Sequence, residues 1–105
     1  MNITTGQTTY ELIRSFNPST NTPVVPATFN TTVYVDGIVN TGVTVDVSLS
    51  NPSEGVYSAS WSASTFGSYQ LLIENTTTSV VYISNIYYAQ NNPQGSSSTN
   101  IYVGL

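Results

Sequence analysis

The chain has 105 residues, enough for one modest core and not for two. Only 6% of its residues are charged, against about 25% in ordinary soluble domains, and with Arg14 as the sole basic side chain the net charge is −4. A nucleic acid or an anionic membrane is thereby disfavoured as a partner, because phosphate contacts need clustered Lys or Arg.

No stretch carries a useful 3.6-residue apolar period, whereas β-branched and aromatic residues recur in short runs between Gly, Pro and Asn clusters. The chain therefore reads as all-β. The first run, residues 8–16, sets Tyr10, Leu12 and Phe16 against Glu11, Ile13 and Ser15, with Arg14 interrupting the apolar register. That interruption predicts an edge or bulged strand, and the turn-rich residues 17–26 end it. In the second run Phe29, Thr31, Val33 and Val35 share a face, Asn30, Thr32 and Tyr34 the other, and Asp36-Gly37 signals a tight turn before the short return of Ile38 and Val39. Val43, Val45, Val47 and Leu49 then alternate with Thr44, Asp46 and Ser48, predicting one buried and one wet face. Residues 51–55 turn the chain into Tyr57, Ala59 and Trp61, and after a small-residue stretch come Tyr69, Leu71 and Ile73. A last run, residues 79–88, is nearly continuous in Val, Ile and Tyr, so periodicity cannot say which side faces inward. The count is six to seven strands, at the spacing of a sandwich.

From residue 89 to 100 the composition turns to Gln, Asn, Pro, Gly and Ser, which reads as a polar linker after a domain of residues 1–88. The chain then carries an apolar arm, residues 101–105, whose Ile101, Tyr102, Val103 and Leu105 are candidates to pair with a strand edge of a neighbour or of their own domain. The polar residues 1–9 lack the basic and apolar regions of a secretory signal, and no apolar run approaches membrane-spanning length; taken as a native start, they predict synthesis in the cytoplasm.

The absence of Cys excludes disulfides and thiolate zinc sites, and without His, Cys or Lys there is no base to activate a nucleophilic Ser. Glu11, Asp36, Asp46, Glu54 and Glu74 are expected on solvated positions. Asp36, Asp46 and Glu54 lack the spacing of a calcium loop, so neither metal nor cofactor is expected. Asn2, Asn30 and Asn75 open glycosylation-type triplets, incidental in a chain in which about two residues in five are Ser, Thr or Asn. Eight tyrosines stand out. Tyr34, Tyr87 and Tyr88 are candidates for an exposed binding surface, for a protein or a glycan, and Tyr10, Tyr57, Tyr69 and Tyr82, with Trp61, are expected in the core or at a corner.

The segments Gly55-Val-Tyr-Ser-Ala-Ser-Trp61 and Phe66-Gly-Ser-Tyr-Gln-Leu-Leu-Ile73 resemble the late strands of immunoglobulin-like domains, where a Gly-x-Tyr element opens the strand after a corner. The resemblance covers about residues 8–88. It implies an antiparallel immunoglobulin-like β-sandwich without a disulfide, with the Tyr69 hydroxyl capping backbone at the corner and Leu71 where a cysteine often sits. Cysteine-free, Ser/Thr/Asn-rich sandwiches with an apolar terminal peptide resemble head-decoration, head-fibre and tail proteins of tailed bacteriophages. On that likeness the expected role is non-enzymatic, in the virion, with other virion proteins and copies of itself as partners; a carbohydrate-binding or adhesin module is the alternative.

Overall fold

The alternating runs become strands, and where they turn the backbone follows the local chemistry. The computed structural model describes residues 2–90. It contains β1 (Asn2–Thr4), β2 (Thr8–Arg14), β3 (Phe29–Val35), β4 (Ile38–Asn40), β5 (Asp46–Asn51), β6 (Val56–Ser62), β7 (Gly67–Asn75), β8 (Val80–Ile83) and β9 (Tyr87–Gln90). Asp36 and Gly37 both take positive φ, 52° and 80°, as a two-residue hairpin between β3 and β4 requires. Asp36 meets the cost of that conformation with a carboxylate that accepts the Ser68 N–H at 2.9 Å. Gly55, with φ of 71°, lets the chain enter β6 against the Ser15 carbonyl, where a Cβ would collide.

Two sheets form. The larger runs β1-β9-β7-β3-β4, with β8 also on β7, and the smaller runs β2-β6-β5. All pairings are antiparallel except β1 with β9. The β1–β2, β2–β3, β4–β5 and β6–β7 connections cross to the opposite sheet, so the two sheets are laced together face to face. The fold is a β-sandwich without cysteine.

β8 and β9 lie along the same edge of β7 as two halves of one strand. Leu72 pairs with Ile83 and Tyr69 with Tyr87, so three residues of the outer strand face two of β7. One residue is extra, a bulge. It is held by Ser84, whose hydroxyl accepts the buried Leu71 N–H at 2.9 Å while its own N–H donates to the Leu71 carbonyl. With β8 and β9 taken as one strand and the three-residue β1 and β4 set aside, six strands remain, in keeping with the pattern's count. β9 also takes in Ala89 and Gln90, which composition assigned to the linker; Ala89 is buried.

The core lies between the sheets. Ile13, Ala59 and Trp61 enter it from the smaller sheet, and Val33, Tyr69, Leu71, Ile73 and Tyr87 from the larger. Trp61 stacks on Tyr69 at 5.5 Å between centroids and meets Tyr87 edge-on at 5.4 Å. A buried polar tie joins the sheets at one end: Asn75 Nδ2 donates to Ser15 Oγ at 2.9 Å, and Ser15 Oγ to the Val24 carbonyl at 2.7 Å. Asn75 is thus a structural residue, not a free amide.

Candidate interaction surface

Cross-strand partners share a face, so β6 decides which side of β2 is inward. Ile13 lies opposite Tyr57, Glu11 opposite Ala59 and Thr9 opposite Trp61. Because Tyr57, Ala59 and Trp61 are buried, Glu11 and Ile13 go in with them, and Tyr10 and Leu12 point outward, 65% and 67% exposed. Two expectations are corrected here: Tyr10 is not a core residue, and Glu11 is not a solvated carboxylate.

Glu11 fits because Ala59 opposite it is small, and because a partner crosses from the other sheet. The Tyr82 hydroxyl on β8 donates to Glu11 Oε1 at 2.8 Å. Burial, then this hydrogen bond and the adjacent negative charge, push the Tyr82 hydroxyl up to about 12. Glu11 Oε2, Thr9 Oγ1 and Trp61 Nε1 are buried without a hydrogen-bond partner among the described residues.

Beyond the Glu11–Tyr82 bridge the sandwich opens. A groove of about 220 Å³ runs between β2 and β8, walled by Leu12, Ile13 and Phe16 on one side and Val80, Val81 and Tyr82 on the other, with Phe29 and Ile73 as its floor. Arg14 stands at its end over the Phe16 ring, at 5.2 Å, and is fixed there by donating to Asn21 Oδ1 at 2.6 Å and to the Asn21 carbonyl at 2.9 Å. Among the described residues β2 pairs only with β6, and β8 only with β7. Ser15 N donates to the Gly55 carbonyl, so by antiparallel alternation the backbones of Thr8, Tyr10, Leu12 and Arg14 face away from β6, toward open edge. By the same rule the Ser84–Leu71 bonds leave those of Val81 and Ile83 on the free side of β8.

The outer face of the larger sheet is the second exposed apolar region. Leu72 pairs with Ile83 and with Thr32, and Tyr34 with Val39 and Gln70. Tyr34 is half-buried in this row, and Tyr88, opposite Ser68, is exposed. Tyr87 does not belong to this surface: it is 4% exposed and packs on Trp61. The bulge is the reason. Val80 and Tyr82 face inward before it and Tyr87 and Ala89 after it, so the extra residue inverts the alternation.

The remaining sequence-derived positions are interior. Tyr57, Trp61, Tyr69 and Leu71 are buried. The Tyr69 hydroxyl donates to the Thr65 carbonyl at 2.9 Å and accepts the Thr65 N–H at 3.3 Å, closing the turn before β7, and Leu71 sits two residues on at 0% exposure. The Tyr57 hydroxyl accepts the Ala27 N–H at 2.9 Å. Ile101, Tyr102, Val103 and Leu105 lie outside the described residues. Among those described, no three Asp, Glu, His or Cys side chains gather as a metal site would need. The edge residues Leu12, Val81 and Ile83 carried no signal in the sequence beyond their apolar character, since which edges stay unpaired is a property of topology. No protein-family model, curated protein or solved structure matches the chain.

Proposed function

We propose that this chain is a non-enzymatic structural module that works through protein–protein contacts made at its strand edges, as a decorating or cementing component of a bacteriophage head or tail. The observation that carries the reading is the pair of apolar strand edges on β2 and β8, unpaired among the described residues, with a groove between them. Exposed edges of this kind are templates for another strand, and proteins that must stay apart usually blunt them with Lys, Pro or bulges. β2 and β8 contain no Lys or Pro and expose Tyr10, Leu12, Val81 and Ile83; the blunting devices they do carry are Glu11 and Arg14 in β2 and the bulge that follows Ile83. A nearly uncharged exterior of hydroxyls and amides is compatible with dense packing against copies of itself. The virion placement rests on likeness of composition and motif to phage sandwiches.

The test is fractionation of the organism or lysate that produces the chain. It is expected to co-sediment with assembled particles on a density gradient and to resist release by salt, since apolar and backbone contacts are not screened. Recovery solely in the soluble fraction would overturn the reading. The glycan alternative draws on exposed Tyr10 and Tyr88; sugar binding on an array that is lost in Tyr88→Ala would establish it instead.

A further inference from the structure

We propose that the groove between β2 and β8 is the acceptor for residues 101–105 of a second copy of this chain, which enters as an added strand and links copies head to tail. The inference rests on the assembly reading above and names its partner.

Three observations converge. First, the groove is bounded on both sides by backbone that has no ladder partner among the described residues, that of Leu12 and Arg14 on β2 and of Val81 on β8, while its interior is largely apolar. A strand laid there gains ladder hydrogen bonds and buries every second side chain. Second, residues 101–105 read Ile-Tyr-Val-Gly-Leu. In an extended chain side chains alternate, so Ile101, Val103 and Leu105 present one continuous aliphatic face, and Tyr102 and Gly104 the other. Third, the other sheet edges are poorer acceptors: β5 carries Asp46 and a register shift between Leu49 and Asn51, and β1 and β4 are only three residues long each.

Chain geometry favours a donor from another copy, because the chain's own linker would have to be nearly taut. Antiparallel addition to β2 is the more stable arrangement, and it requires the incoming strand to start beside Phe16 and run toward Thr8. β9 ends at the opposite end of β2: the Gln90 carbonyl accepts the Thr5 N–H at 2.9 Å, three residues before β2 begins. The chain's own residues 91–100 would have to cover the length from Thr8 to Phe16, roughly 27 Å at about 3.3 Å per residue, and then reverse. Ten residues span at most about 33–36 Å when fully stretched. A second copy has no such constraint. Because acceptor and donor are different surfaces, the contact is heterologous and propagates as a ring or an open filament.

The experiment compares the full chain with a variant lacking residues 101–105 by sedimentation velocity over a wide concentration range. The full chain is expected to associate with increasing concentration, and the truncated variant and Val103→Asp to remain monomeric with unchanged melting. A labelled synthetic peptide of residues 97–105 should bind the truncated variant saturably and shift the amide resonances of Leu12, Arg14 and Val81; Val81→Asp, at an exposed position, should weaken that binding at least tenfold. Three results would each overturn the proposal: a full chain that stays monomeric, a truncation that lowers melting without changing mass, which places the arm on its own domain, or a peptide that shifts β4 or β5 instead. None of these bears on whether the chain sediments with particles, so the broader reading is judged separately.

Discussion

Tyr87 and Tyr88 are neighbours with opposite fates, and the difference should be measurable. Tyr87 fills the space beside Trp61, so Tyr87→Ala is expected to cost about 3–5 kcal/mol, the range for removing a buried aromatic ring. Tyr88→Ala, at an exposed position, should stay within about 0.5 kcal/mol. Urea unfolding followed by Trp61 fluorescence checks both. A second residue-scale outcome concerns Tyr82. Its hydroxyl is held protonated in the fold, up to about 12, while in the unfolded chain it titrates near the ordinary 10. Between those values the unfolded state has released a proton that the folded state keeps, so stability falls as pH rises through about 10 to 12 and is fully present below 10. Tyr82→Phe should flatten that part of the urea midpoint against pH, the other tyrosines contributing equally to both proteins. A curve for Tyr82→Phe that parallels the parent would show that neither burial nor the Glu11 contact holds the proton. Neither residue's role was legible in advance. The tyrosines of 79–88 sit in a run without period, and Glu11 is inward because its register with β6 sets it opposite the buried Ala59, which is small enough to leave it room.

Among the elements, the strands with strict alternation were the readable ones. Tyr57, Ala59 and Trp61 in β6 and Tyr69, Leu71 and Ile73 in β7 are the buried faces of the two central strands, as their period of two predicts. The edge strand β2 was misread in phase because its two faces are almost equally apolar, and the choice between them is made by a partner more than forty residues away. The break between β8 and β9 left no mark because a bulge needs no special residue, only a local hydrogen bond to hold it. Ser84 supplies that bond. Ser84→Ala should strand the Leu71 N–H in the core and cost about 1–3 kcal/mol, the penalty for a buried donor without a partner. Faster hydrogen exchange at Leu71, read by NMR, would accompany it. An unchanged exchange rate would mean that water replaces the hydroxyl and the bulge stands without it.

At the scale of the molecule, the sandwich class was legible because cysteine and helical period were both missing and charge was sparse, leaving packed alternation as the one route to a core. Its sheet order was not, since strand pairing over long sequence separations is fixed by topology and not by any local pattern. The same limit applied to the interaction surface. Among the described residues, which edges remain open depends on where β1 lies, and β1 covers β9 but not β8.

That placement of β1 also governs how the domain would carry tension. Asn2, Ile3 and Thr4 run parallel to Tyr88, Ala89 and Gln90, and the chain leaves this ladder in opposite directions at its two ends. Stretching the protein by those ends pulls the ladder lengthwise, so its bonds must rupture together and not one after another like a zipper. Optical tweezers attached before Asn2 and after Gln90 should therefore record a sharp, high-force rip, and Ile3→Pro, which removes an amide from the clamp, should lower it.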